Sequence, residues 1–149
     1  LSISQQCKRE NLPKLTEGYK NLSVEADLSD FFFNMPQEIA NANLILSRAG
    51  ATAISEITAA CRPAIYVPYP HATDNHQFFN AQIMKNLGVA VLLEQDSISP
   101  EMLRDLLVSF FIDRTKLAQM NKNAKKLDFS EASNRLADLI YYTIRNARN

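Results

Sequence analysis

Leu44-Ile45-Leu46-Ser47-Arg48-Ala49-Gly50-Ala51-Thr52-Ala53-Ile54-Ser55-Glu56 changes character midway, from an apolar triplet, through a turn of small residues, to a run with apolar positions at helical spacing. The triplet is short and has polar neighbours, as expected of a strand buried on both faces of a parallel sheet. Ala49, Gly50 and Ala51 add no bulk to the turn, and the helix that opens behind them has Ile54 and Ile57 for its buried side. The stretch reads as strand, tight turn and helix.

The same alternation continues downstream. Ala64-Ile65-Tyr66-Val67 and Val89-Ala90-Val91-Leu92-Leu93 are two more such runs, and the stretch from about His76 to Leu87 between them is helical and closes on Gly88. Strands joined by single helices imply right-handed crossovers and a doubly wound sheet, with the ligand crevice at the carboxyl ends of the strands. Upstream, Leu1 to Cys7 and Leu22 to Ala26 read as strands, Leu12 to Tyr19 as a short helix, and Pro36 to Asn41 as a helical turn. From Ser99 onward the pattern is helical only. Ser99 caps a helix with Pro100 at its first position and Met102, Leu103, Leu106, Leu107 and Phe110 on one face. Asp113 caps a segment carrying Leu117, Met120 and Ala124, and Ser130 caps one carrying Ala132, Leu136, Leu139, Ile140 and Ile144. The expected fold class is α/β: a Rossmann-like parallel sheet with flanking helices and a helical tail over residues 99–149.

The 149 residues suffice for one domain with its own core. Sixteen basic residues balance sixteen acidic ones, so no net field attracts nucleic acid or an anionic membrane. Cys7 and Cys61 have neither a second Cys nor a His at ligand spacing, which argues against a zinc site and a disulfide framework and fits a reducing compartment. No stretch reaches the roughly 18 apolar residues of a membrane span. From the opening on Leu1 rather than Met, just ahead of a strand, the expectation is a fragment whose N-terminal part lies elsewhere.

The turn at Gly50 suits an anion. Small residues let a ligand approach the backbone, and the free N–H groups of a helix start, at the positive end of its dipole, suit a phosphate. Glu56 lies five residues beyond Ala51, about 7 Å along the axis at about 1.5 Å per residue, which resembles a phosphate-to-ribose separation. One helical turn either side of it stand only Thr52, Ala53, Ala59 and Ala60, so its carboxylate can accept both hydroxyls of a ribose. Strand-turn-helix units with a Gly and a helical Glu are nevertheless common to α/β proteins, and spacing alone leaves that reading open. Arg48 either approaches the ligand or pairs with a neighbouring carboxylate.

A second loop, Val67-Pro68-Tyr69-Pro70-His71-Ala72-Thr73-Asp74-Asn75-His76-Gln77, also falls at a strand's carboxyl end. His76 and Gln77 can meet sugar hydroxyls, which need paired donors and acceptors. Alternatively, Asp74 with Gln77 three residues on fits an Asp variant of a capping box. His71 and His76 lack a carboxylate-rich set, which argues against a metal. The aromatic run Phe31-Phe32-Phe33 cannot face one core as a whole, so one ring can border a planar base or all can serve packing. Only Gly18, Gly50 and Gly88 are glycines, which excludes GxGxxG, and there is no P-loop or Ser-His-Asp order.

Taken together, Arg48 to Glu56, Pro63 to Pro70, Asp74 to Gln77 and Asn80-Ala81, with Gln5-Gln6-Cys7 and Phe31 to Met35 ahead of them, resemble the C-terminal domain of the MurG family over roughly residues 1 to 95. The resemblance implies the donor-binding half of a GT-B glycosyltransferase. Such an inverting enzyme moves N-acetylglucosamine from UDP-N-acetylglucosamine to the lipid-linked muramyl-pentapeptide of peptidoglycan synthesis. It acts in the bacterial cytoplasm, in peripheral contact with the inner membrane. By position it implies that Glu56 binds the ribose, Phe32 contacts uracil, and Gly50, Ala51 and Thr52 approach the diphosphate-sugar. His76 and Gln77 then meet the hexosamine, with Arg48 beside them. It implies no cofactor and no metal. It places the acceptor site, and a Gly-rich loop with a His proposed as base, in an N-terminal domain absent from this sequence; the first strand and Gly-Gly-Ser loop of the donor domain are absent too, so the fragment is expected to be inactive alone. Two positions depart from the family: Ala53, where Thr is frequent, and Cys61, where Gly is usual. A non-catalytic binding module that kept the fold, and another UDP-sugar enzyme such as an epimerase, are the competing readings.

Overall fold

The computed structural model describes residues 1–127 and 132–146. The chain divides into two compact units, Leu1–Ala42 and Asn43–Asn149.

The first unit runs β1 (Ser2–Gln6), α1 (Leu12–Asn21), β2 (Glu25–Ser29) and α2 (Met35–Asn41). β1 and β2 pair in parallel, Ser2 opposite Glu25 and Gln6 opposite Ser29. The Tyr19 hydroxyl on α1 donates to Gln5 Oε1 at 2.7 Å and ties helix to strand. β2 starts later than the apolar run from Leu22 suggests, because Leu22 caps α1 and Ser23 turns left-handed at φ 53°. The Ser23 N–H donates to the Lys20 carbonyl and the Val24 N–H to the Tyr19 carbonyl, each at 3.0 Å, the paired bonds of a Schellman ending.

The second unit runs β3 (Ile45–Ser47), α3 (Ala51–Ala59), β4 (Ala64–Tyr66), α4 (His76–Asn86) and β5 (Ala90–Leu92), then α5 (Pro100–Ile112), α6 (Arg114–Ala124) and α7 (Ala132–Asn146). Its three strands lie in the order β3-β4-β5, all parallel. Ile65 on the central strand is fully buried against Phe110 of α5 and Met120 of α6, with Leu103, Leu107 and Leu117 around them. Strand alternation turns Ala64 and Tyr66 to the other face, where they are equally buried. Right-handed crossovers place α3 and α4 over that face. The Thr58 hydroxyl of α3 meets Met84 Sδ of α4 at 3.9 Å. Burial there pushes the Tyr66 phenol up to about 12.

Both expected caps that fall within the described residues form. Ser99 Oγ accepts from the Met102 N–H, and Asp113 Oδ1 from the Thr115 N–H, both at 3.1 Å. The Thr115 hydroxyl and N–H hold the Asp113 carboxyl below its ordinary range. Ser130 lies outside the described residues.

Two further helices end as α1 does. After α3, Cys61 takes φ 54°, its N–H donating to Thr58 O at 2.8 Å and the Arg62 N–H to Ile57 O at 3.1 Å. After α4, Gly88 takes φ 67°, its N–H donating to Lys85 O at 2.9 Å and the Val89 N–H to Met84 O at 3.1 Å. Helix α6 reaches back to both turns: Asn121 Nδ2 donates to the Cys61 carbonyl at 2.6 Å and Asn123 Nδ2 to the Gly88 carbonyl at 3.0 Å. Among the described residues, no helix is long and apolar enough to cross a membrane.

Candidate donor site

The carboxyl ends of β3, β4 and β5 carry three loops, and Arg48, Gly50, Ala51, Thr52, His76 and Gln77 all stand on the first two of them or on the helix starts behind them. Gly50 is the N-cap residue of α3, extended at φ −67° and ψ 147°, with no side chain to cap the helix. The first intrahelical bond is Ile54 N–H to Gly50 O at 3.0 Å, so the N–H groups of Ala51, Thr52 and Ala53 have no acceptor within the helix. A Cβ added at Gly50 would meet nothing within 4 Å. Neither strain nor packing therefore calls for glycine here. Its absent side chain leaves open space beside the helix start.

Beneath that turn Ala49 is fully buried, and Asn80 Nδ2 of α4 donates to its carbonyl at 3.2 Å. Helix α3 turns Ile54, Ile57 and Thr58 inward and leaves Thr52 and Glu56, four residues apart, exposed on its outer side. Among the described residues, no side chain pairs with the Glu56 carboxylate, which leaves its oxygens free to accept.

Among the described residues, no carboxylate pairs with Arg48, contrary to one reading of the sequence. Nη1 donates to the carbonyls of Val67 at 3.1 Å and Pro68 at 3.0 Å, and Nη2 donates to Gln95 Oε1 at 2.7 Å. Its guanidinium carbon also lies 5.7 Å from the centre of the Tyr69 ring. The carbonyls at the end of a parallel strand point outward with no further strand residue to pair them, and a planar fork with several donors can satisfy two at once.

The capping box between Asp74 and Gln77 does not form. Asp74 and Asn75 are both left-handed, at φ 50° and 53°, so α4 begins at His76 and Gln77 is its second residue rather than its third. Gln77 instead accepts from the Tyr69 N–H through Oε1 at 3.0 Å, which leaves its NH2 as a donor. His76 Nδ1 lies 2.7 Å from the Thr73 carbonyl. A carbonyl can only accept, so Nδ1 carries a hydrogen and the neutral ring offers Nε2 as an acceptor. The two adjacent side chains thus present one acceptor and one donor pair. Beside them a cavity of about 470 Å³ opens between Tyr69, Asn75 and Phe78 on one side and Glu94 to Ser97 on the other.

Phe32 belongs to the first unit and follows β2. It is half-buried between Phe31 and Phe33, which are 58% and 94% exposed, their rings meeting edge-on at 5.0 Å. The run therefore serves no single core. Asn80, Tyr69 and Gln95 complete the arrangement; the first two stand within stretches quoted for the family resemblance, and none of the three takes a role from the sequence, since each acts on or through a backbone group or an amide. Among the described residues, no three His, Cys, Asp or Glu side chains converge as a metal site.

The family description that matches residues 1–136 is the glycosyltransferase family 28 C-terminal domain. The chain belongs to this family. A relative from Wolbachia pipientis subsp. Culex pipiens, a UDP-N-acetylglucosamine--N-acetylmuramyl-(pentapeptide) pyrophosphoryl-undecaprenol N-acetylglucosamine transferase, is 46% identical over 126 residues, which cover 85% of this chain and 37% of the relative. The crystal structure of MurG from Acinetobacter baumannii superposes with a TM-score of 0.84 at 28% identity, over 95% of this chain and 41% of that one. A glycosyltransferase of kitacinnamycin, at a TM-score of 0.67 and 15% identity over 95% of this chain and 42% of its own, shares the fold alone. This family 28 domain thus spans about two-fifths of its relatives' length. Its parallel sheets with flanking helices are those of the C-terminal half of a GT-B glycosyltransferase.

Proposed function

We propose that this family 28 domain is the donor half of an inverting hexosyltransferase that moves N-acetylglucosamine from UDP-N-acetylglucosamine to a lipid-linked muramyl-pentapeptide. The observation that carries the proposal is the uncapped start of α3. Three N–H groups have no acceptor within the helix and no capping side chain, and the Glu56 carboxylate, unpaired among the described residues, stands outward about 7 Å along the same helix. In this reading Gly50, Ala51 and Thr52 receive the diphosphate, and Glu56 accepts both ribose hydroxyls. His76 Nε2 accepts from the hexosamine and the Gln77 NH2 donates to it, the combination that a pyranose hydroxyl requires. As an acceptor hydroxyl attacks the anomeric carbon, the bond to the diphosphate breaks and UDP leaves with the electron pair. The helix start stabilises that growing negative charge without reorganising. The acceptor site and the base that takes the hydroxyl proton belong to the rest of the protein, so this domain alone turns over no substrate. The complete protein works at the cytoplasmic face of a bacterial inner membrane, where its lipid-linked acceptor resides.

Calorimetric titration of the complete encoded protein tests the reading. UDP-N-acetylglucosamine binds, and its C4 epimer binds more weakly. Glu56→Gln weakens UDP itself by about 1 to 3 kcal/mol through loss of charge-assisted hydrogen bonds. No heat at millimolar ligand, or equal affinity for the two epimers, refutes it.

A further inference from the structure

We infer that Arg48 is a positioning residue: its guanidinium fixes the Val67–Tyr69 backbone against which Gln77 sets its amide, and so aims the Gln77 NH2 at the donor's hexose. The inference rests on the donor-site reading above and assigns Arg48 a different task from binding phosphate.

The hydrogen bonds of the guanidinium carry the argument. Both Nη1 hydrogens are committed to neutral carbonyls, Val67 O at 3.1 Å and Pro68 O at 3.0 Å, and one Nη2 hydrogen to Gln95 Oε1 at 2.7 Å. The fork that would grip a diphosphate in bidentate fashion is thus turned onto the protein. It joins the end of β3, on which it stands, to the segments that follow β4 and β5. The next backbone group along the β4 loop is the Tyr69 N–H, held by Gln77 Oε1 at 3.0 Å. Arg48 holds the two carbonyls ahead of that N–H, and its cation lies 5.7 Å from the Tyr69 ring centre. A primary amide can present either its oxygen or its NH2 to a ligand. Here the choice is made by the Tyr69 N–H, which takes the oxygen, so the identity of the group facing the sugar depends on where Arg48 keeps that backbone.

Arg48→Lys separates the two roles, because it keeps the charge and loses the planar fork. In the complete protein, the expected result is UDP affinity within about twofold of wild type, with UDP-N-acetylglucosamine weakened about fivefold to tenfold, the worth of one sugar hydrogen bond. Discrimination against the C4 epimer falls by the same factor. Gln95→Ala, which removes one leg of the fork, shifts both quantities in the same direction by less. Hydrogen exchange at the Tyr69 amide, measured without ligand, accelerates in Arg48→Lys. An equal loss for UDP and UDP-sugar would make Arg48 a phosphate ligand and overturn the inference, as would unchanged selectivity or a Tyr69 amide that exchanges as in wild type. A wild-type protein that binds neither ligand refutes the donor-site reading instead, and the exchange experiment still decides whether Arg48 sets the Tyr69–Gln77 bond.

Discussion

Asn121 Nδ2 donates to the carbonyl of Cys61 at 2.6 Å, and Cys61 is the residue on which α3 turns left-handed at φ 54°. Asn123 does the same for Gly88, so one helix holds the carbonyls of two left-handed residues. The two turns differ in the residue that makes them, and that difference has opposite consequences on substitution.

Cys61→Gly is expected to stabilise the protein by about 0.5 to 1 kcal/mol. A left-handed conformation costs a residue with a Cβ about 1 to 2 kcal/mol, partly offset by the extra freedom glycine brings to the unfolded chain. Gly88→Ala is expected to destabilise by about 2 to 3 kcal/mol. A Cβ there lies 2.8 Å from Asn123 Nδ2, so the φ penalty is joined by loss of that hydrogen bond. Urea unfolding midpoints of the two variants should move in opposite directions.

Gly50→Ala should separate folding from binding. The residue sits at φ −67° with nothing within 4 Å of an added Cβ. The weaker capping of alanine and its lower unfolded entropy nearly cancel, leaving stability within about 0.5 kcal/mol of wild type. On the proposed donor reading, UDP affinity should fall about tenfold or more, because the methyl group occupies open space beside the start of α3. Thermal unfolding and calorimetry on the same sample check both halves.

His76 should populate the tautomer with hydrogen on Nδ1, since its neighbour at 2.7 Å is the Thr73 carbonyl. In mildly alkaline buffer, nitrogen chemical shifts of the imidazole should report an unprotonated Nε2. Thr73→Pro is no useful control, whereas His76→Gln, which keeps an acceptor, should retain more UDP-sugar affinity than His76→Leu.

Tyr66 gives an alkaline prediction. Its phenol is raised from 10.0 to about 12 by burial. A raised pKa means that the stability it contributes is complete below pH 10.0 and is lost progressively as pH climbs toward 12. Absorbance titration should show one of the five tyrosines ionising after the rest, or together with alkaline unfolding. Tyr66→Phe should remove that late step.

The sequence made the strand-helix order legible because apolar runs and helical spacing are signals of side-chain type, and Ser99 and Asp113 were legible as caps for the same reason. Backbone conformation was not. Gly88 announced a left-handed turn, while Ser23 and Cys61 adopt the same conformation with side chains that give no sign of it, and the start of β2 moved accordingly. Asp74 and Asn75 are left-handed as well, which shifted the start of α4 and undid the capping pair with Gln77. Gly50 and Glu56 could be singled out from their own chemistry, and the structure places them at the N-cap and on the exposed side of α3. The carboxylate partner that was one alternative for Arg48 is replaced by two backbone carbonyls and an amide, and backbone carbonyls are partners that every residue possesses and no spacing reveals.

The empty space at Gly50 also acts as a historical record. A Cβ has room there, so on the proposed donor reading alanine or serine would leave folding intact and act only through the ligand. A lineage in which this domain had ceased to hold a nucleotide would let the position drift while Gly88, bound to its left-handed turn and to Asn123, stayed fixed. Comparing drift at these two glycines therefore dates the loss of function separately from the loss of structure.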